Sequence, residues 1–187
     1  MKYLVMLVGS LLFASWTNAY ALEVEGVNVP DSATVGGEKL SLNGAGVRTK
    51  FFMDIYIGAL YLPSKTQDAS AAISAAGNKR VVMHFLYSEV DQEKLVDGWN
   101  IGFQSNQGKE ELARLQDRLG KFNAMFSTMK TGDEITFDFI GESTSVSINS
   151  EAKGTMQGKD FQQALLQVWL GEKPADDDLK EGMLGED

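Results

Sequence analysis

The sequence predicts an α+β fold: a mostly antiparallel sheet wrapped on one face by helices. Three observations lead there. Segments that alternate apolar and polar residues cluster toward the two ends of the chain. Segments with apolar residues three and four apart lie in the middle and at the C-terminus. No repeat, low-complexity tract or Pro/Gly-rich linker separates them, so residues 22–187 read as a single domain.

Residues 1–21 read as a signal peptide. Lys2 is followed by an apolar run over 3–13 and then by Ala19-Tyr20-Ala21, the small-x-small pattern that a signal peptidase requires. The run is shorter than the roughly 20 residues a bilayer span needs. Cleavage after Ala21 implies a periplasmic or secreted domain with no stable membrane anchor.

The elements follow in order. Residues 22–29 alternate and form a strand ending at Pro30, and 38–42 form a short strand after the Gly36-Gly37 turn. A third strand region, 44–62, reads GAGVRTKFFMDIYIGALYL. Its alternation puts Arg48 and Tyr56 on one face, but a straight strand separates them by roughly 26 Å at about 3.3 Å per residue. They share a site only if the chain turns back around 51–54. Asp68 caps a short Ala-rich helix over 68–76 that stops at Gly77-Asn78. Residues 80–87 form a central strand with Val81, Met83, Phe85 and Tyr87 on one face and Val82, His84 and Leu86 on the other. Helices span 91–105, with Leu95, Trp99 and Phe103 in line, and 108–129, with a stripe from Leu112 to Met129. Strands 133–140 and 143–148 pair as a hairpin turning near Gly141. Helices over 159–170, ended by Gly171 and Pro174, and over 176–184, opened by three aspartates, complete the chain.

Composition excludes several functions. There is no cysteine, hence no disulfide framework and no thiolate nucleophile or metal ligand. With one histidine, a zinc site is not expected, and no cofactor is implied. His84, between Val82 and Leu86, reads as a buried structural histidine. GESTS (141–145) is a hairpin turn rather than a nucleophile elbow, because no helix follows it. The formal charge is −9 and becomes −10 once Lys2 leaves with the signal, which argues against a nucleic-acid partner and against electrostatic attraction to anionic lipid. Phe103, Phe122, Met125, Phe126 and Met129 read as core.

Arg48 is the residue to explain. It can sit at a strand end with its guanidinium in water, its stem packed on apolar neighbours and Asp54 or a glutamate beside it. Alternatively it points into an apolar cavity, where its planar fork suits a carboxylate or an enolate. The residues alone leave both readings open.

Three segments bear on the choice: GAGVRTK with YIGALYL, WNIGFQSN on the first large helix, and FQQALLQVWLGEKPADDDLKEGML at the C-terminus. Together, in this order, they resemble the chalcone isomerase-like superfamily, most closely its bacterial exported branch. The resemblance implies an open-faced sandwich, a large antiparallel sheet with helices over a ligand cleft. In the plant isomerases an arginine stabilises the oxyanion that develops during ring closure; in related plant proteins it holds a fatty-acid carboxylate. Arg48 matches that arginine. Trp99 and Asn106 match a Tyr and an Asn seven apart, with Trp in place of Tyr. Tyr56 and Val168 stand where the family has threonines. Valine offers no hydrogen bond and an indole only donates one, so the resemblance implies weak equipment for ring closure.

The expected function is therefore binding of a small apolar or amphiphilic ligand with an anionic head, such as a fatty acid. Arg48 would neutralise the head, Tyr56 and Asn106 would hydrogen-bond it, and Trp99 and Val168 would line the site. One alternative is an intramolecular lyase of the chalcone isomerase type, with Arg48 as its catalytic residue. Another is a non-catalytic partner-binding protein whose cleft is filled by its own side chains.

Overall fold

The computed structural model describes residues 21–186; the expected signal peptide lies almost wholly outside them. A β-hairpin, β1 (Leu22–Val24) and β2 (Val27–Val29), leads into β3 (Ser32–Val35), β4 (Glu38–Lys50) and β5 (Met53–Leu62). Helix α1 (Ala69–Ser74) precedes β6 (Lys79–Phe85) and the two-residue β7 (Glu89–Val90). Then come α2 (Gln92–Asn106), α3 (Lys109–Asn123) and β8 (Met129–Lys130), which pairs with β7. Strands β9 (Glu134–Ile140), β10 (Ser143–Ile148) and β11 (Glu151–Gln157) and helices α4 (Lys159–Leu170) and α5 (Asp177–Leu184) finish the chain. The main sheet is seven-stranded and antiparallel, ordered β11-β10-β9-β6-β5-β4-β3.

One sheet face carries Tyr56, Leu60, Val81, Met83, Phe85, Ile135, Phe137 and Val146, all buried against the helices. Helix α4 is the spine of that layer: Phe161, Leu165, Leu166, Trp169 and Leu170 are each at most 2% exposed. The opposite face, at the β3–β4–β5 end, holds Leu40, Leu42, Ala45, Ile57 and Tyr61, and the β1–β2 hairpin covers it with Val24, Val27 and Val29. The α+β class stands, with the helices on one face.

A bulge decides which way Arg48 points. Leu42 pairs with Tyr61 but Gly44 pairs with Leu60, so Asn43 is an extra residue in β4. Side chains alternate faces along a strand, and one inserted residue reverses the alternation beyond it. Leu40 and Leu42 therefore share the outer face with Ala45 and Val47, while Gly44, Gly46 and Arg48 face the helices. Asn43 is held in the bulge by its side chain, which donates to the carbonyls of Thr66 (3.0 Å) and Met183 (2.8 Å) and accepts from Thr66 N–H (2.8 Å).

The glycines of the GAG run have a packing role. A Cβ on Gly44 would stand 2.2 Å from the Gly182 carbonyl oxygen, and one on Gly46 2.8 Å from the Leu179 carbonyl oxygen. Helix α5 thus lies backbone to backbone on β4. Asp176 caps it, accepting from Leu179 N–H at 2.9 Å.

The structure departs from the sequence reading in places. Residues 22–29 are a hairpin, because Glu25-Gly26 adopts positive φ (46° and 74°) and reverses the chain. The strand expected at 38–42 runs on to Lys50, since the bulge absorbs the Gly-Ala-Gly segment without breaking the pairing. Helix α3 stops at Asn123, and Met129 pairs in β8 instead. β3 and β11 were not expected; both are edge strands with weak alternation. His84 is half-buried rather than buried, because the outer face of β6 lies beyond the hairpin that covers β4 and β5.

Candidate functional site

The turn at Phe51-Phe52 brings Arg48 to Tyr56. The two residues are register partners across β4 and β5, and the Arg48 guanidinium carbon lies 5.7 Å from the Tyr56 ring centroid. Arg48 is half-buried and lines a cavity of about 510 Å³ between the β4–β5 tip, α2 and the 173–175 segment after α4. Met53, Ile55, Val90, Ile101, Pro174 and Ala175 give this cavity its apolar wall, and Tyr87 and Ser105 add hydroxyls. Two wider depressions, of about 670 and 630 Å³, lie along α5, but they are more open and neither contains Arg48.

The electrostatics leave Arg48 available. Among the described residues no carboxylate pairs with it, whereas Lys94 pairs with Asp91 (3.1 Å) and Lys130 with Glu89 (3.7 Å). Asp54, the expected neighbour, instead accepts from the Thr49 hydroxyl at 3.0 Å. The second strand bulge separates them: Arg48 pairs with Tyr56 and Thr49 with Asp54, leaving Ile55 as the extra residue.

The other expected site residues sit behind the cavity; none of the four is among its lining. Tyr56 is 2% exposed and its hydroxyl accepts from Trp169 Nε1 at 3.1 Å. Burial pushes its phenol up from the ordinary value and the Arg48 charge only partly opposes this, so Tyr56 is neutral at neutral pH. Trp99 is buried in an aromatic cluster, with ring centroids 5.4–5.7 Å from those of Phe122, Phe126, Phe137 and Trp169. Its indole N–H has no partner among the described residues. Asn106 is a clamp: its amide donates to the carbonyls of Gly102 (2.9 Å) and Lys173 (2.8 Å) and accepts from Lys173 N–H (3.0 Å). It thereby ties the end of α2 to the segment that walls the cavity. Val168 packs on Gly102, where an added Cβ would come within 2.7 Å of Val168 Cγ1. Gly102 itself lines the cavity, so Val168 supports the cavity wall from behind it.

Ile55, Val90, Ile101 and Ala175 escaped the sequence reading. Ile101 alone left a signal: it is an apolar residue on the polar face of α2, 62% exposed. The cavity lining offers four cations (Arg48, Lys50, Lys94 and Lys173), two carboxylates (Glu89 and Asp97), two hydroxyls and an apolar wall. Among the described residues no group of acids and histidine is placed to hold a metal ion.

A family model described as chalcone isomerase-like matches residues 21–185. The fold is similar to that of an Arabidopsis thaliana fatty-acid binding protein, with a TM-score of 0.70 at 14% identity, covering 89% of this chain and 97% of that one. No curated protein sequence matches. With the family model spanning almost all described residues, and with the same sheet-and-helix architecture, the chain belongs to the chalcone isomerase-like family.

Proposed function

We propose that this chain is a binding protein for a small apolar ligand with an anionic head, of the fatty-acid class, exported by way of residues 1–21 and acting in the periplasm or outside the cell. The observation that supports it is Arg48, a cation with no carboxylate partner among the described residues, at the wall of an apolar cavity. A guanidinium binds a carboxylate through two parallel N–H···O bonds. The cavity volume, about 510 Å³, lies within the range of roughly 300–1,000 Å³ usual for small-molecule sites. The Arabidopsis neighbour is by its title a fatty-acid binding protein, which supports the same ligand class.

In this account Arg48 neutralises the head group while Tyr56 supports the guanidinium from below with its ring face. Tyr87 and Ser105 hydrogen-bond a head-group oxygen, and Met53, Ile55, Val90 and Ile101 cover the tail. Asn106 and Val168 hold α2 and the 173–175 segment in place without touching the ligand. Trp99 is part of the core.

Ring closure of a chalcone is less well supplied. It calls for hydroxyls that hold and polarise a ketone beside the arginine, yet Tyr56 is buried with its hydroxyl bonded to Trp169. Incubation with a chalcone, followed by its ultraviolet absorbance, discriminates: the binding account expects loss at the spontaneous rate only. The direct test of binding is native mass spectrometry of protein purified from its own cells, with extraction of the ligand. A co-purified fatty acid supports the account. An empty protein that also refuses added fatty acid refutes it in favour of a closed cleft.

A further inference from the structure

Among the described residues, five strand pairs are joined by two-residue loops: Glu25-Gly26, Gly36-Gly37, Phe51-Phe52, Gly141-Glu142 and Asn149-Ser150. Such loops need positive φ, which glycine and asparagine adopt most readily. Four of the five carry one or the other. The β4–β5 loop instead holds two phenylalanines, at φ 50° and 64°. The fold does not use their rings, since Phe51 is 79% exposed and Phe52 fully exposed. Asn-Gly would make the same turn unstrained, so the aromatic pair has a reason outside the folded chain.

The surroundings indicate what that reason is. Met53 (39% exposed) and, across the cavity mouth, Ile101 (62% exposed) extend the apolar surface of the tip. The residues lining the same mouth include Arg48, Lys50, Lys94 and Lys173 against Glu89 and Asp97, in a chain whose formal charge is −9. The mouth is thus a basic spot on an acidic protein, with Lys50 Nζ 5.7 Å from the Phe51 ring centroid. Two rings offer roughly 150–250 Å² each. Together they fall well below the roughly 800 Å² per partner of a stable protein interface, so the two rings by themselves do not make the seat of a protein partner or a second copy. Paired aromatics flanked by lysines do match the interfacial zone of a bilayer with anionic head groups.

We propose that the Phe51-Phe52 tip inserts into the interface of an anionic phospholipid bilayer, with Lys50, Lys94 and Lys173 facing the head groups, so that the cavity opens onto the membrane. Entry of an apolar ligand from that membrane rests on the binding function proposed above. Insertion of the tip does not.

The test uses the purified protein with vesicles of phosphatidylcholine, with and without phosphatidylglycerol, and no free fatty acid. The substitution pair Phe51→Asn/Phe52→Gly keeps the turn and removes the rings, and is expected to lower vesicle partitioning about tenfold or more. Replacing Lys50, Lys94 and Lys173 by Gln is expected to abolish the preference for phosphatidylglycerol. Because the chain has no cysteine, Phe52→Cys gives a single site for an environment-sensitive fluorophore, whose emission should shift to the blue on vesicle addition. Equal partitioning of the Asn-Gly variant and the parent would overturn the proposal, as membrane binding would then belong to another segment. So would an unshifted fluorophore, or a protein that ignores vesicles. The fatty-acid account is tested separately, on Arg48→Ala with free ligand and no vesicles, so either can fail without the other.

Discussion

Gly44→Ala tests the contact that holds the arginine-bearing strand to the C-terminal helix. The new Cβ would stand 2.2 Å from the Gly182 carbonyl oxygen, 2.7 Å from Gly185 N and 3.0 Å from the Met183 carbonyl oxygen. All three are backbone atoms, so no side chain can rotate aside, and α5 must move off β4 by about 1 Å to restore ordinary contact distances. Overpacking of this kind costs roughly 1–3 kcal/mol, and the rigid neighbours place the cost near 3. Against it stands the lower conformational entropy of an unfolded chain with alanine, about 0.4–1 kcal/mol. Sterics win, leaving about 2 kcal/mol of net destabilisation. For a domain of this size that lowers Tm by roughly 4–8 °C. Thermal and urea unfolding of Gly44→Ala read it directly. Gly120→Ala serves as the contrast: an exposed α3 position where a Cβ meets nothing within 4 Å, expected to gain about 0.5–1 kcal/mol. If Gly44→Ala were as stable as the parent, α5 would not be seated on β4 as described.

Other outcomes follow from particular contacts. Hydrogen bonds from Arg118 hold the Asp160 carboxyl at about 2, below its ordinary 3.8. A depressed folded-state pKa stabilises the fold above the unfolded value and loses that contribution as pH falls through the folded one. The stability advantage of the parent over Asp160→Asn is therefore expected to fade between about pH 4 and pH 2, and NMR titration of Arg118→Ala should show the Asp160 midpoint moving back up. Asn106→Ala removes three hydrogen bonds and leaves Lys173 N–H without its acceptor. Urea unfolding should record a loss of roughly 1–3 kcal/mol, accompanied by faster amide exchange at residues 171–175. Phe51→Asn/Phe52→Gly relieves two strained turn positions and should raise stability by roughly 1–3 kcal/mol, since non-glycine residues in the left-handed region cost about 1–2 kcal/mol each. An unchanged unfolding midpoint there would mean that the turn is not strained.

Most of the architecture was legible because periodicity is a local signal. The bounds of α4 at 159–170, the α2 stripe of Leu95, Trp99 and Phe103, and Asp68 and Asp176 as caps all follow from spacing and side-chain chemistry within one or two turns. The need for a reversal near 51–54 was legible too, from the distance between Arg48 and Tyr56 alone, although two phenylalanines give no turn signal. The direction of Arg48 was hidden because it depends on the Asn43 bulge, a choice fixed by partners at Thr66 and Met183 far along the chain. The interior was hidden for the same kind of reason. Tyr56, Trp99, Asn106 and Val168 were expected in the site through their correspondence to family positions. None of them lines the cavity, and the reason lies in three-dimensional contacts: Trp169 takes up the Tyr56 hydroxyl and Lys173 the Asn106 amide. Ile55 and Ala175, which do reach it, have no pattern that distinguishes them from core.

The central claim is that Arg48 receives the anionic head of an apolar ligand at this cavity. Its most direct test is equilibrium titration of the parent and Arg48→Ala with a fatty acid and with the corresponding fatty alcohol, which lacks the charge. A hydrogen-bonded charge at a half-buried site contributes roughly 1.5–3 kcal/mol, so the account predicts that Arg48→Ala weakens fatty-acid binding by about 10- to 150-fold. The alcohol should bind both proteins alike. Equal fatty-acid affinity in the two proteins, or an equal loss for acid and alcohol, would contradict it.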